Sequence, residues 1–310
     1  MLRKKAIRKI VITTFVLFVV LTIYMIPTRK NKDKKTYHYI DTKDISVYLE
    51  NNYNQLTKVD FKITNSKIEN VIDAIIKKLT ISNDATIPRK FKQVIPSNVV
   101  LNKVKVEDKI AHLNFSKDFL TIKKEDIEMI VESIAYSIFE LKEINGVSIY
   151  VDDYNISSNY KNIPSIITKE YGINKRYEIN NFNNLSKVTI MYIDNEDEIN
   201  YYVPITKYVN DDREKIKIII DELSSNYVYE SNLISLLNKN SKLLNYEIKN
   251  DSIILDFNNS IFLDQDEVLE EVVYSVFANY DVDNVVFQTE GKEFYKKKNK
   301  KTWIIGQFAV

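Results

Sequence analysis

The side chains that could do chemistry are few and scattered. There are two histidines, His38 and His112, and no cysteine, which excludes disulfides, thiolate metal ligands and a thiol nucleophile. A metal site needs three or four convergent donors, so His112 reads as a surface or packing residue. Acidic residues are plentiful, and glycoside hydrolysis asks only for a properly spaced carboxylate pair. The most regularly placed candidate is Asp256, in "IILDFN", but a matching segment earlier in the chain, "AHLNFS", puts Asn114 at that position. An amide cannot transfer the proton, so a shared catalytic role fails there. Glycine occurs only at 146, 172, 291 and 306, too sparsely for a GxGxxG or P-loop phosphate cradle. No catalytic, cofactor-binding or metal-binding residue is assigned on these grounds.

That match belongs to a longer one. "ESIAYSIFE" (132–140) and "EEVVYSVFA" (270–278) are nearly the same helical phrase, with Tyr136 and Tyr274 at an offset of 138. Ile127, Ile130, Ile134, Ile138 and Leu141 recur at three- and four-residue steps and give one apolar stripe. "INGVSIYV" and "VDNVVFQ" then alternate as strands do. Upstream, "VVLNKVKV" with "DKIAHLNFS", and "KLLNYEI" with "NDSIILDFN", read as hairpins, with Glu107-Asp108 and Asn250-Asp251 near the turns. Ile72, Ile75, Ile76 and Leu79 form a helical set that Ile216, Ile219, Ile220 and Leu223 repeat at an offset of 144. Ser66 with Glu69, and Asp211 with Glu214, have capping-box spacing at those helix starts. "ISVYLE" and "VTIMYI" open each copy. The order strand, strand, helix, strand, strand, helix, strand occurs twice, an α+β tandem duplication whose helices cover one sheet face. Tyr136 and Tyr274 are expected to pack in the core with their hydroxyls at its edge.

The ends differ from this body. Ile10 to Ile26 run 17 residues without a charge, which as a helix nears the hydrocarbon thickness of a bilayer. The stretch is long for a signal-peptide core and lacks small residues at its end, so it is expected to be a retained anchor. The expected topology is a cytoplasmic N-terminus and an extracytoplasmic body. Residues 1–35 carry ten Lys/Arg against Asp33 alone, while the remaining residues are net −8. A mildly acidic body argues against nucleic acid as a partner. Residues 154–185 have little periodicity and read as a linker packed partly against a domain. The C-terminal "YKKKNKK" then "TWIIGQFAV" is basic, then apolar, and reads as a final strand on the second copy or a contact for lipid or protein.

The stretch from Ile95 to Phe119, followed by "IVESIAYSIFELKEINGVSIYVDD", resembles the GerMN domain of sporulation and spore germination proteins. Asn114, Phe115 and Ser116 take that family's Asp-Leu-Ser positions in the first copy; Asp256, Phe257 and Asn258 take them in the second. Members with two copies behind a membrane segment are typically lipoproteins, and this chain, without cysteine, departs from that by its apolar segment. The resemblance implies a ring-building-motif-like αββαβ core in each ββαββαβ domain. It also implies a non-enzymatic role, assembling or stabilising a transenvelope complex between mother cell and forespore, in the intermembrane space.

The expected organisation is a basic stub, anchor (10–26) and basic flank over 1–35, a first GerMN-like domain at 36–153, a linker at 154–185, a second domain at 186–292 and a tail at 293–310. Expected partners are the membrane, sporulation-channel or other envelope proteins, and a further copy of the chain. Two alternatives stay open: a peptidoglycan-active glycan hydrolase with a carboxylate pair in a groove, and an extracytoplasmic ligand-sensing module with an enclosed apolar pocket.

Overall fold

A computed structural model describes residues 4–25, 42–64, 66–181, 183–194, 200–225, 232–263 and 266–298. The chain divides into two units, Met1–Ile40 and Asp41–Val310. The first holds α1 (Lys4–Met25), a 22-residue helix with no buried residue, long and apolar enough to cross a bilayer. Its threonine hydroxyls bond within the helix: Thr13 and Thr14 donate to the carbonyls of Lys9 and Ile10 at 3.0 and 2.8 Å, and Thr22 to that of Val19 at 2.8 Å.

The second unit contains the duplicated body. Copy one runs β1 (Thr42–Glu50), β2 (Leu56–Thr64), α2 (Ile68–Leu79), β3 (Leu101–Glu107), β4 (Ile110–Phe115), α3 (Ile127–Phe139), β5 (Gly146–Val151) and β6 (Tyr154–Asn155). After β7 (Arg176–Glu178), copy two runs β8 (Leu185–Asp194), β9 (Tyr201–Asn210), α4 (Lys215–Ser224), β10 (Leu233–Ile234), β11 (Leu243–Lys249), β12 (Ser252–Phe257), α5 (Asp266–Asn279), β13 (Asn284–Thr289) and β14 (Lys292–Lys298). Each copy joins an antiparallel hairpin, β3–β4 or β11–β12, to a parallel strand, β5 or β13, reached through a crossover helix. A parallel partner needs such a crossover. The hairpins close over two residues, Asp108-Lys109 and Asn250-Asp251, with positive φ at Asp108, Lys109 and Asn250, as tight turns between twisted strands favour.

Alternation along the strands explains the cores. Leu113 and Phe115 in β4, like Leu255 and Phe257 in β12, are fully buried, each contributing about 1.5–3 kcal/mol relative to exposure. The repeated helical stripes, Ile72, Ile75, Ile76 and Leu79 in α2 and Ile216, Ile219, Ile220 and Leu223 in α4, are buried against them.

The capping boxes do not form. The residue before α2 is Lys67 and that before α4 is Glu214, neither with a side-chain cap bond. Asp211 is taken by Arg213, whose backbone N–H and guanidinium both donate to it, and Glu214 pairs with Lys217 at 2.8 Å. At α4, local ion pairs compete for the carboxylates that would have capped. The linker is more ordered than its lack of periodicity suggests. Ile156, Ile163 and Ile167 join the core of copy one, and Ile167 exchanges backbone hydrogen bonds with Val147 of β5. A Cβ on Gly146 would meet Ile166 at 3.0 Å, so this segment lies tight on β5. At the far end, residues 292–298 form β14 on β13 rather than a free tail; residues 299–310, with the rest of that basic-apolar segment, lie outside the described residues.

Candidate functional site: the seam between the two copies

The repeated phrase acts through its serines. In copy one the backbone N–H of Tyr48 donates to Ser137 Oγ at 2.9 Å, and Ser133 Oγ donates to the Tyr48 carbonyl at 2.7 Å. Ser133 and Ser137 stand one helical turn apart on α3, so the helix covers backbone groups of β1 that β2 does not pair. In copy two Met191 N–H donates to Ser275 Oγ at 2.9 Å, and Asn279, one turn on, brackets the N–H and carbonyl of Thr189 at 2.9 and 2.6 Å. Exposed strand edges invite pairing with other chains; here α3 and α5 occupy them. The tyrosines beside these serines are the more conspicuous residues of the repeated phrase. Those do pack in the cores as expected: Tyr136 stacks edge-on to Tyr48 and donates to the Lys169 carbonyl, while Tyr274 meets Tyr202 edge-on and donates to Glu270.

The two copies share an interior. Tyr201, in copy two, belongs to the hydrophobic cluster of copy one, where its ring meets Phe91 edge-on at 5.0 Å beneath the Lys90 ammonium. Asn174 of the linker is the pivot. Its side-chain oxygen accepts from Leu56 N–H and its amide donates to the carbonyls of Leu56 and Pro204, all at 2.8 Å, tying β2 to β9. Its φ of 49° lies in the left-handed region that asparagine tolerates better than most residues. Preceding it, Ile173 N–H donates to Thr206 Oγ1 at 2.9 Å and Ile173 is fully buried beside Tyr48 and Leu56. Gly172 has φ +84°, and a Cβ there would meet Thr206 at 3.0 Å. Buried amides extend the seam: Asn232 donates to Gln55 at 2.9 Å, Gln55 accepts from Asn51, and Asn51 reaches Asp194 at 3.5 Å.

Charged groups near the seam are neutralised in place. Lys175 bonds Glu128 at 2.5 Å and Glu132 at 3.0 Å over the Tyr171 ring. Burial disfavours its charge, yet the two carboxylates outweigh that and hold its ammonium above the usual lysine range. Glu132 also accepts from Asn174 N–H at 2.8 Å, so this carboxylate pair braces the linker. Glu140 receives Lys58 and the Tyr48 hydroxyl, both at 2.9 Å; burial pushes the Tyr48 phenol well up and pulls Lys58 down, the latter against Glu140. Lys207, buried too, is held by Glu222 at 2.7 Å and Glu178 at 3.1 Å and is raised instead. Glu271 has no such cation. It accepts from Leu236 N–H at 3.0 Å and Ser235 Oγ at 3.1 Å, its other oxygen has no partner, and burial raises its carboxyl to about 8.

The remaining sequence candidates are dispersed. His112 lies on the outer face of β4, its ring tilted against Tyr150 and its Nδ1 3.4 Å from that hydroxyl. Asn114 donates to Asp153 at 2.8 Å, while Asp256 leaves Oδ1 without a partner. His38 lies outside the described residues. Among the described residues no three His, Cys, Asp or Glu side chains converge on a metal-sized site. A cavity at the seam, lined by Tyr48, Tyr136, Phe139, Met191, Tyr274 and Phe277, is about 50 Å³, far below the 300 Å³ or so of small-ligand sites. An open groove of about 1070 Å³ on copy one sets Arg89, Lys92 and Lys123 against Glu50, Asp84 and Asp126. Hydrogen bonds from Lys78 and Thr86 hold Asp84 down at about 2, so it stays ionised.

Two similar α+β domains, locked through a buried polar seam and following an apolar N-terminal helix, define a tandem-domain protein built on one duplicated fold. The chain belongs to the Germane family, described as sporulation and spore germination, whose pattern matches residues 36–157 and 189–294. It is 27% identical over 230 residues to the spore germination protein GerM of Bacillus subtilis (strain 168), covering 69% of this chain and 63% of that protein; it thus spans less than two thirds of that relative's length. The solved tandem GerMN domains of the sporulation protein GerM from Bacillus subtilis superpose with a TM-score of 0.76 at 22% identity, covering 86% of this chain and all of that one. The α+β tandem architecture read from the sequence is therefore the fold.

Proposed function

We propose that the protein is a non-enzymatic scaffold of the sporulating cell envelope, anchored by α1 and helping to assemble or stabilise a complex spanning the space between mother cell and forespore. Its body lies outside the cytoplasm, and its partners are other envelope proteins or further copies of itself. The observation that carries this reading is the seam. Asn174, Gln55 and Asn232 join two complete domains into one body, which suits a part that holds neighbours at a fixed spacing. Family membership supplies the sporulation setting. The best-defined carboxylate pair, Glu128 and Glu132, is spent on Lys175, consistent with structural use of these acids.

The test is deletion in the source organism with three complementing alleles: the full chain, a chain lacking residues 1–35, and a seam variant, Asn174→Ala. The expected result is a drop in heat-resistant spores, restored by the full chain and not by the unanchored one, with envelope proteins cross-linking to the full chain during sporulation. Normal spore yield in the deletion strain would overturn the reading.

A further inference from the structure

The two copies differ at one buried position of their crossover helices. At the offset that aligns Tyr136 with Tyr274, Ser133 of α3 corresponds to Glu271 of α5. Ser133 donates to a backbone carbonyl in the first strand of its own copy. Glu271, fully buried, turns instead to the residues after β10, where it meets Leu236 N–H at 3.0 Å and Ser235 Oγ at 3.1 Å.

Hydrogen counting gives its protonation state. Ser235 has one hydroxyl hydrogen and two claimants for it, the Leu223 carbonyl near the end of α4 at 2.5 Å and Glu271 at 3.1 Å. The shorter bond takes it. Glu271 then keeps its contact by supplying the hydrogen itself, as a neutral acid whose O–H donates to Ser235 Oγ. Leu237 N–H, 3.4 Å from that oxygen, fills its other lone pair. Ionised, Glu271 has no hydrogen to give, and its Oε1, which has no partner, becomes part of a buried charge. Such a charge is costly unless it is paired.

No pairing charge is at hand. α4 and β8 pack on α5, and their titratable groups are committed elsewhere. Glu270 takes Lys297 and the Tyr274 hydroxyl, Asp221 takes Arg213, Lys217 takes Glu214, and Glu222 takes Lys207 and the Tyr192 hydroxyl. Lys187 and Lys215 act on Glu170, and Asp194 lies toward Asn51. Residues 232–238 contain no titratable group. Burial raises the Glu271 carboxyl to about 8 against the bonds from residues 235–237, with no contribution from a neighbouring charge.

The stretch that Glu271 clasps also holds the seam. Leu233 and Ile234 pair with Asp194 and Ile193, and buried Asn232 donates to Gln55 of copy one at 2.9 Å. We propose that Glu271 is a proton-operated latch on the seam: as a neutral acid it clasps residues 235–237 and through them the Asn232–Gln55 bond, and on losing its proton it releases this stretch. The release is local, because the Asn174 bonds join β2 to β9 independently. It does not depend on the scaffold reading. Once the stretch is open the carboxyl ionises at its ordinary value of 4.5, so opening becomes easier as pH rises from about 4.5 and stops changing above about 8.

The test is hydrogen exchange of residues 42–310, which close their own cores while no residue of α1 is buried. Exchange is measured at pH 6 and pH 8 and corrected for intrinsic rates. The opening constant of the Leu236 and Leu237 amides is expected to rise about ten- to fiftyfold between these values. Low denaturant leaves it unchanged, because little surface opens. Glu271→Gln, always neutral, changes by less than about twofold over the same range. Asn232→Ala raises the opening constant of the same amides about fivefold at both pH values, through loss of one hydrogen bond to copy one. Urea midpoints accompany each variant; should Glu271→Gln be unfolded, Glu271→Met, which also cannot ionise, takes its place. Opening independent of pH in the native chain, an equal rise in the neutral variant, denaturant dependence as steep as that of the β5 amides, or no effect of Asn232→Ala would each overturn the proposal.

Discussion

Ser137 Oγ accepts the backbone N–H of Tyr48 at 2.9 Å across 89 residues of sequence, and Ser275 does the same for Met191. This explains why one helical phrase is written twice: the serine fastens each crossover helix to the first strand of its own copy. Removing the hydroxyl leaves a strand amide unpaired away from water, which costs about 1–3 kcal/mol. Ser137→Ala and Ser275→Ala should each lower stability by that amount in urea unfolding, whereas Ser158→Ala, at an exposed site, should change it by less than about 0.5 kcal/mol. Equal effects at all three positions would remove the fastening role.

Lys175 is the cation on which Glu132, a buried acid, depends. Lys175→Met should cost about 3–5 kcal/mol, because an unpaired carboxylate is left inside. Adding Glu132→Gln should recover much of the loss. Glu128, at 44% side-chain exposure, is better solvated, and Glu128→Gln should cost less than about 1 kcal/mol. Denaturant midpoints of the four proteins check the order.

Glu271 should make stability depend on pH. Its carboxyl titrates at about 8 in the fold against 4.5 in an ordinary setting. Between those values the unfolded chain has released the proton and the folded one keeps it, so the contribution of Glu271 to stability is fully present below about 4.5, falls as pH rises, and levels off above about 8. The slope is at most about 1.4 kcal/mol per pH unit. Glu271→Gln, always neutral, should flatten this component and be more stable than the native chain at pH 8. Unfolding curves from pH 5 to 9 provide the measurement, and parallel profiles for the two proteins would contradict the assignment.

Asn174 carries the seam through three side-chain bonds and one left-handed backbone conformation. Asn174→Gly keeps the backbone freedom and loses the bonds; Asn174→Ala loses both. The expected order of stability is native, then Gly, then Ala, with the losses accompanied by faster proteolysis within residues 156–178. If Ala and Gly behave alike, the φ contributes nothing measurable.

What the sequence disclosed follows from periodicity. The helical stripes of α2 and α4, the hairpins and the crossover helices all repeat at regular spacing, and their apolar positions are buried as that spacing requires. Other features lack a period. Ile156, Ile163, Ile167 and Ile173 sit on irregular backbone, so their burial leaves no pattern. Asn51, Gln55, Asn174 and Asn232 are of types normally found at surfaces, and only three-dimensional proximity shows that they pair with one another or with backbone. Glu132 and Glu271 look like the solvated side of a helix until the linker and residues 235–237 are seen packed over them. The capping box of the second copy fails for a related reason: its spacing suits reciprocal bonds, but Arg213 and Lys217 take the same carboxylates.

The central claim is that both copies open and close as one body. Native-state hydrogen exchange in low denaturant, comparing amides of β5 with those of β13, tests it most directly. The account predicts the same opening free energy and the same denaturant dependence in the two strands. Exchange of either strand through an opening that leaves the other protected would show two independent domains on a tether and contradict it.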